Sequence, residues 1–497
     1  MCALENRQSG PGTSLLAEPG PPRRRGRGRV LRRLLVVALA CGVAAGGTLL
    51  LWPRAPHRAA APHPAAGPPA FAGARAAAVQ AAVLDGRPAA LPDLTSLIGA
   101  RELWVREHPK DARAWAVLGT AYAARARRTD GTADYPKAEQ ALRTSLQVAA
   151  KGNTEALGGL AALANARRDF AEGRRYAEEA LKAAPKRWAT YPVLIDACDG
   201  LGDYKAARAA LDKLMALKVG AAVRPAVMAR ASAVYRDRGW REDAVAQVTD
   251  AAAAAGTPAE QAAYLTQAGQ LAWERGERED ALRHFEAAVR LDADQWAARA
   301  GQGRALAALG RTRDALTAYR EALAHRAAPQ VSLELAELYE SLGMAEQART
   351  QFGLMRAQVE KELAAGVDDD LLIGQYEADH GDPEEGVQRL TAEWERQPGI
   401  EVADALGWAL HRAGDDQEAL RYASIATDST KGGGVRSALY AFHRGMIERD
   451  LDEDASARRH LQDALRVNPY FSPMQAPVAR SALAALGEEP PEEPLPG

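Results

Sequence analysis

The chain of 497 residues predicts an all-α fold, an array of repeated helix pairs, on three observations. Aromatic residues are only 6% of the chain while alanine is abundant, a composition that suits tightly packed helices better than sheets. Small and aromatic residues recur 34 positions apart: Gly269 and Gly303, Gly276 and Gly310, Ala281 and Ala315, Phe285 and Tyr319, Ala288 and Ala322. Glycine also sits inside apolar helical stripes, as Gly119 does in "AWAVLGTAY" (114–122). A helix-interior glycine costs roughly 1 kcal/mol relative to alanine, so a second helix packed backbone-close is expected to gain from the missing side chain.

Taken in order, residues 1–33 are rich in Gly, Pro and Arg and read as a disordered basic segment on the cytoplasmic side. Residues 34–52, "LLVVALACGVAAGGTLLLW", run 19 positions without a charge, enough to cross a hydrocarbon core as one transmembrane helix. Seven arginines within 23–33 closely precede this stretch and only Arg54 and Arg58 follow closely, so the positive-inside rule predicts a single-pass protein of the cell membrane with a cytoplasmic N-terminus and an extracytoplasmic repeat region. The length of the stretch and its bulky end, "LLLWPR", argue against a cleaved signal peptide. Residues 53–76 are dominated by Ala and Pro and read as a semi-rigid linker, with His57 and His63 as linker residues rather than metal ligands.

Residues 77–111, containing "LIGARELWVREH", are expected to hold half a repeat unit, and 112–470 about ten full ones. Within a unit, the spacing of Ala281, Phe285 and Ala288 puts all three on one face of the second helix, directed at the first. The turns are marked by Gly202, Gly239, Gly343, Gly381 and Gly414, each followed by acidic residues suited to a helix start. The period and the "WxxLGxxY" element at Trp115, Leu118, Gly119 and Tyr122 resemble the tetratricopeptide repeat family. That resemblance implies a right-handed α-solenoid whose first helices line a concave, protein-binding face. Three positions depart from the pattern: Pro192 in a helix start, Ala161 for the small glycine, and Gly386 for an alanine. Residues 471–487 are expected to form a helix capping the last repeat, and 488–497 a disordered acidic tail.

Chemistry is scarce. Lys and Arg total 63 against 65 Asp and Glu, so no global charge favours nucleic acid. There is no phosphate-cradling GxxxxGK[ST], no HExxH zinc helix and no GxSxG elbow, so no enzyme, cofactor or small-molecule substrate is predicted. The three cysteines are far apart, and Cys198 reads as a small core residue. The acidic run Asp368, Asp369, Asp370 resembles a calcium cluster less than an ordinary acidic helix start, and no metal is expected.

Function is therefore expected on the surface of the array. The repeat register places Gln270, Trp273, Glu274, Arg304, Glu337, Glu340, Gln375, Trp408 and His411 on the concave face as candidate protein-binding residues. Two readings of Trp273 and Trp408 stand open: anchors in a peptide groove, or packing between neighbouring first helices. Thr266, Gln270, Ala300 and Arg304 lack the Lys and Asn pairing with which chaperone-binding relatives clamp a terminal carboxylate. The expectation is a non-catalytic, membrane-tethered scaffold for a protein or peptide partner. Its alternative is an accessory subunit or assembly chaperone of a transport or export complex, and the Ala/Arg/Pro-rich composition suggests a bacterial, actinobacterial-like source.

Overall fold

The computed structural model describes residues 73–129, 131–428 and 434–487, all within one compact unit, Phe71–Gly497. Twenty-three helices and no strand occur among them. Helices α1 (Ala74–Leu84) and α2 (Leu91–Glu107) come first. Hairpins follow: α3 (Ala112–Ala126) with α4 (Asp134–Val148), α5 (Thr154–Ala166) with α6 (Phe170–Ala183), α7 (Thr190–Gly200) with α8 (Tyr204–Ala216), α9 (Arg224–Asp237) with α10 (Arg241–Ala254), and α11 (Pro258–Glu274) with α12 (Arg278–Leu291). The second half pairs α13 (Trp296–Ala308) with α14 (Thr312–His325), α15 (Pro329–Ser341) with α16 (Ala345–Ala364), α17 (Asp370–His380) with α18 (Pro383–Arg396), α19 (Ile400–Arg412) with α20 (Asp416–Thr427), and α21 (Ala438–Asp450) with α22 (Asp454–Val467). Helix α23 (Gln475–Ala485) packs on α22. The stretch 77–111 thus contains most of α1 and all of α2, two helices where half a unit was expected.

Several hairpins close around a missing side chain. A Cβ on Gly119 would stand 2.6 Å from Leu142 Cγ and 2.8 Å from the Ala138 carbonyl oxygen. The same holds at Gly303, whose added Cβ would lie 2.6 Å from the Tyr319 ring, with Tyr319 itself buried. The departures from the repeat pattern are accommodated locally. Pro192 falls in the first turn of α7, where an absent N–H leaves no helical bond unmade. Gly386 of α18 lies against α17, so that a Cβ there would come within 3.1 Å of the Gly374 carbonyl.

The array coils until one level lies on the next. Residues separated by about two fifths of the chain meet, the turn inside an early hairpin resting on the turn between two later ones. Arg168 pairs with Asp369 and donates to the Asp368 carbonyl at 2.7 Å, while Asp368 N–H donates to the Arg167 carbonyl at 2.9 Å. One unit further on, Ile400 N–H donates to Tyr204 Oη at 3.0 Å, and Gly202 is pressed so close to Pro398 that a Cβ would lie 2.3 Å from its carbonyl. Further still, Asn468 Nδ2 donates to the Trp273 carbonyl at 2.8 Å. Arg128 and Asp292, 2.6 Å apart and both largely buried, join the first hairpin to the fifth.

Gly202 and Gly310 show what this adds to a turn. Both have the positive φ of a helix C-terminal turn, 69° and 74°, but Gly310 has open space where Gly202 has Pro398. Arg168 occupies the corresponding position with φ 59°, a conformation costing an L-residue roughly 1–2 kcal/mol. The side chain that bears this strain is the one that reaches Asp369.

Among the described residues no helix is long and apolar enough to cross a membrane. The longest, α16, has 20 residues but carries Glu346, Arg349, Arg356, Glu360, Lys361 and Glu362. The stretch 34–52 expected to span the bilayer lies outside the described residues, as do 1–33, most of the 53–76 linker and the 488–497 tail. The expectation of a single-pass membrane protein with extracytoplasmic repeats is corrected on that finding.

Two outcomes are expected. Gly119→Ala lowers stability by about 1–3 kcal/mol through overpacking against the α4 backbone, although alanine is the better helix former. Gly158→Ala in α5, which meets nothing within 4 Å, raises stability by about 0.5–1 kcal/mol in the same chemical denaturation series. Arg168→Gly relieves the turn but loses the contact between levels. Its radius of gyration by small-angle scattering therefore increases and its melting temperature falls, whereas Asp452→Gly, at the other non-glycine turn with positive φ, leaves the radius unchanged.

Candidate functional site

The concave face is built by the first helix of each hairpin, and from α11 to α21 these helices wall a cavity of about 530 Å³. Trp273 of α11, Arg304 of α13, Glu337 of α15, Gln375 of α17 and Trp408 of α19 line it, so five of the nine candidate residues share one space. The other four are engaged elsewhere. Gln270 donates to Glu274 at 3.0 Å, Glu274 pairs with Arg236 at 3.1 Å, Glu340 faces His380 Nδ1 at 3.3 Å, and His411 Nδ1 lies 2.5 Å from Asp416.

Packing between neighbouring first helices describes Trp408. Trp408 is only 7% exposed, donates its indole N–H to Asp379 at 2.8 Å and stacks on His443 with ring centroids 4.2 Å apart, so it packs between neighbouring first helices. One edge of it still lines the cavity.

Residues that the sequence did not single out complete the site. Asp404 stands one helical turn before Trp408 on α19, and His443 lies on the next first helix, α21. Their side chains meet, His443 Nδ1 to Asp404 Oδ2, at 2.9 Å. A carboxylate only accepts, so Nδ1 is the donor in this bond. Neither His443 Nε2 nor Asp404 Oδ1 has a hydrogen-bond partner, although the residues are 5% and 1% exposed. Asp404 could have been found from its i, i+4 relation to Trp408. The 39-residue separation from His443 carried no such signal. The segment 469–480 also borders the cavity, with Gln475 donating to Asp379 at 3.2 Å and Phe471 packed 5.5 Å from Phe442 between ring centroids.

Beside this cavity, burial pushes the Glu337 carboxyl above its ordinary range, against the lowering effect of His380. Burial works against a charged His380 ring, but Glu337, Glu340 and Asp379 outweigh it and raise the imidazole.

A second cavity, of about 570 Å³, adjoins the first level of the coil and is lined by Asp199, Tyr204, Arg230, Asp237, Glu401 and Tyr440, among others. Burial pushes Asp199 up to about 8, with Asp237 and Asp196 adding to the effect and Arg230 and Arg236 opposing it. Asp237 is pushed up to about 6, again chiefly by burial.

The carboxylates of Asp368, Asp370 and Glu393 do lie close enough together to hold an ion, but Arg396 sits among them. Its guanidinium pairs with Asp368 and Glu393 and stands 3.6 Å from Asp370, supplying the positive charge itself. The acidic run at the start of α17 is thus a set of ion pairs and level-to-level contacts. Cys198 is buried, and burial pushes its thiol up to about 11, which leaves it unreactive.

Residues 266–330 and 301–357 match the family model of the tetratricopeptide repeat. Over α11 to α16 the chain is tetratricopeptide-like. Such repeats generally mediate protein–protein interactions, and their fold is typically a non-catalytic scaffold. No curated protein matches the chain in sequence. Among solved structures, a tetratricopeptide repeat protein from Parabacteroides merdae is 17% identical, with 53% of this chain and 99% of that one covered at a TM-score of 0.32. The human IFIT1 dimer with PPP-AAAA is 16% identical over 64% of this chain and 71% of that one, at a TM-score of 0.42. Yeast Tom70 is 13% identical over 76% of this chain and 96% of that one, at a TM-score of 0.30.

The raised Asp199 carboxyl makes stability depend on pH. Above its ordinary value and below about 8, the folded chain holds a proton that the unfolded chain has released, so folding is favoured as pH falls and that advantage is lost as pH rises through about 8. Asp199→Asn removes this contribution. From about pH 6 to about pH 9 the melting temperature of the parent therefore falls further than that of the variant in parallel calorimetric scans.

Proposed function

We propose that this chain is a non-catalytic interaction array that binds an extended peptide, or one helix of a partner protein, in the cavity walled by α11, α13, α15, α17, α19 and α21. The observation that carries the reading is the convergence of Trp273, Arg304, Glu337, Gln375 and Trp408, from five successive hairpins, on one space. Two buried aromatic anchors among polar side chains is the composition of a binding hot spot. The contacts between levels favour a fixed scaffold over a cradle that yields to unfolded clients, because each such contact must break before the coil can open. The carboxylates of the first cavity, Glu334, Glu337, Asp379 and Asp404, oppose a polyanion such as nucleic acid.

Selection from a random peptide library displayed on phage tests this. Enriched peptides are expected to bind the full chain and to lose at least about tenfold in affinity, roughly 1.4 kcal/mol, on the double change Glu337→Ala and Gln375→Ala, with the melting temperature unaltered. No enrichment, or affinity indifferent to the double change, would refute the assignment.

A further inference from the structure

Asp404 and His443 are the most constrained polar groups in the cavity. Both are more than nine-tenths buried, and each has a polar atom without a partner among the described residues, Asp404 Oδ1 and His443 Nε2. An unmet buried acceptor costs about 1–3 kcal/mol, so Asp404 Oδ1 calls for a donor from outside the described chain.

The surrounding charge says what kind. Four carboxylates, Glu334, Glu337, Asp379 and Asp404, line this cavity against two guanidiniums, Arg304 and Arg480. The guanidiniums are already occupied: Arg304 stands 3.4 Å from Glu334, and Arg480 donates to the Pro469 carbonyl at 3.1 Å. Glu337 has only the His380 ring, 3.7 Å away. Trp273, Trp408 and Tyr470 add aromatic side chains to the wall.

The acidic character continues into the second cavity along shared helices. On α19, Glu401 lines the second cavity and Asp404, one turn later, the first. On α21, Tyr440 and His443 are divided in the same way.

We propose that the cavity is a receptor for an organic cation, an arginine or lysine side chain of a basic extended peptide, whose N–H groups satisfy Asp404 Oδ1 while neighbouring basic residues follow α19 and α21 past Glu401 into the second cavity. A guanidinium or ammonium brings several donors and no acceptor, complementing an orphan carboxylate oxygen set beside aromatic rings. This rests on the peptide-binding assignment and names its ligand class.

Titration calorimetry of the full chain with hexa-arginine, hexa-lysine, spermidine and hexa-glutamate at physiological salt tests the proposal. The basic peptides are expected to bind one per chain, and hexa-glutamate to give no heat. Asp404→Asn, which turns the free acceptor into an amide and removes its charge, lowers affinity for hexa-arginine at least about tenfold. Glu337→Gln, on a different helix, weakens it in the same direction, and serves as the test should Asp404→Asn fail to fold. No binding of the basic peptides, or equal binding by parent and variants, overturns the proposal. If spermidine alone binds with the same dependence on Asp404, the site takes a free polyamine and the peptide source is overturned. If library selection instead yields neutral or acidic peptides sensitive to Glu337, the groove stands and the cationic class falls. Failure of both the library and the basic peptides removes the two assignments together.

Discussion

The structure depends on the stacking of one level of the coil on the next. Each hairpin alone could bury only its own small interface of alanine, glycine and one large side chain. A string of such hairpins could open or close like a spring. The contacts of Arg168 with Asp368 and Asp369, of Tyr204 with Ile400 and of Asn468 with Trp273 set a single spacing between levels. They tie together turns rather than helix faces, so the first helices remain free to line the interior.

This constraint explains features that a single repeat leaves puzzling. Arg168 stands in a backbone conformation that suits glycine because its side chain is needed across the junction. The acidic run 368–370 begins a helix, as any acidic run can, but all three members also face arginines, Asp369 the Arg168 of the other level, Asp368 the nearby Arg396 and Asp370 the nearby Arg389. Turn glycines differ in the same way: Gly202 supports a neighbouring level and Gly310 does not.

Closing the coil also creates the chemistry of its interior. Carboxylates that would be ordinary solvated residues on an open array, such as Asp199 and Asp237, are brought into a confined space and their protons are held more tightly. Asp404 and His443 bond to each other, and among the described residues Asp404 Oδ1 is left as an acceptor without a partner. The interior that results is rich in acceptors and aromatic edges, the complement of a basic chain.

Much of the hairpin was legible in the sequence because its determinants lie within one 34-residue period. The glycine at 303 and the ring at 319 are 16 positions apart on two helices of one unit, and their contact follows from helical spacing alone. Five of the nine proposed concave residues reach a common cavity for the same reason, since the register of one unit repeats in the next. The bonds of Gln270, Glu274, Glu340 and His411 to neighbours were not legible, because rotamer and partner are chosen by packing. Nor were the junction between levels, the pairing of Asp404 with His443, or the position of the 469–480 segment at the cavity wall. Which turn meets which about 200 residues later depends on a small rotation accumulated at every unit interface, a sum that no local pattern encodes and that only the folded coil resolves.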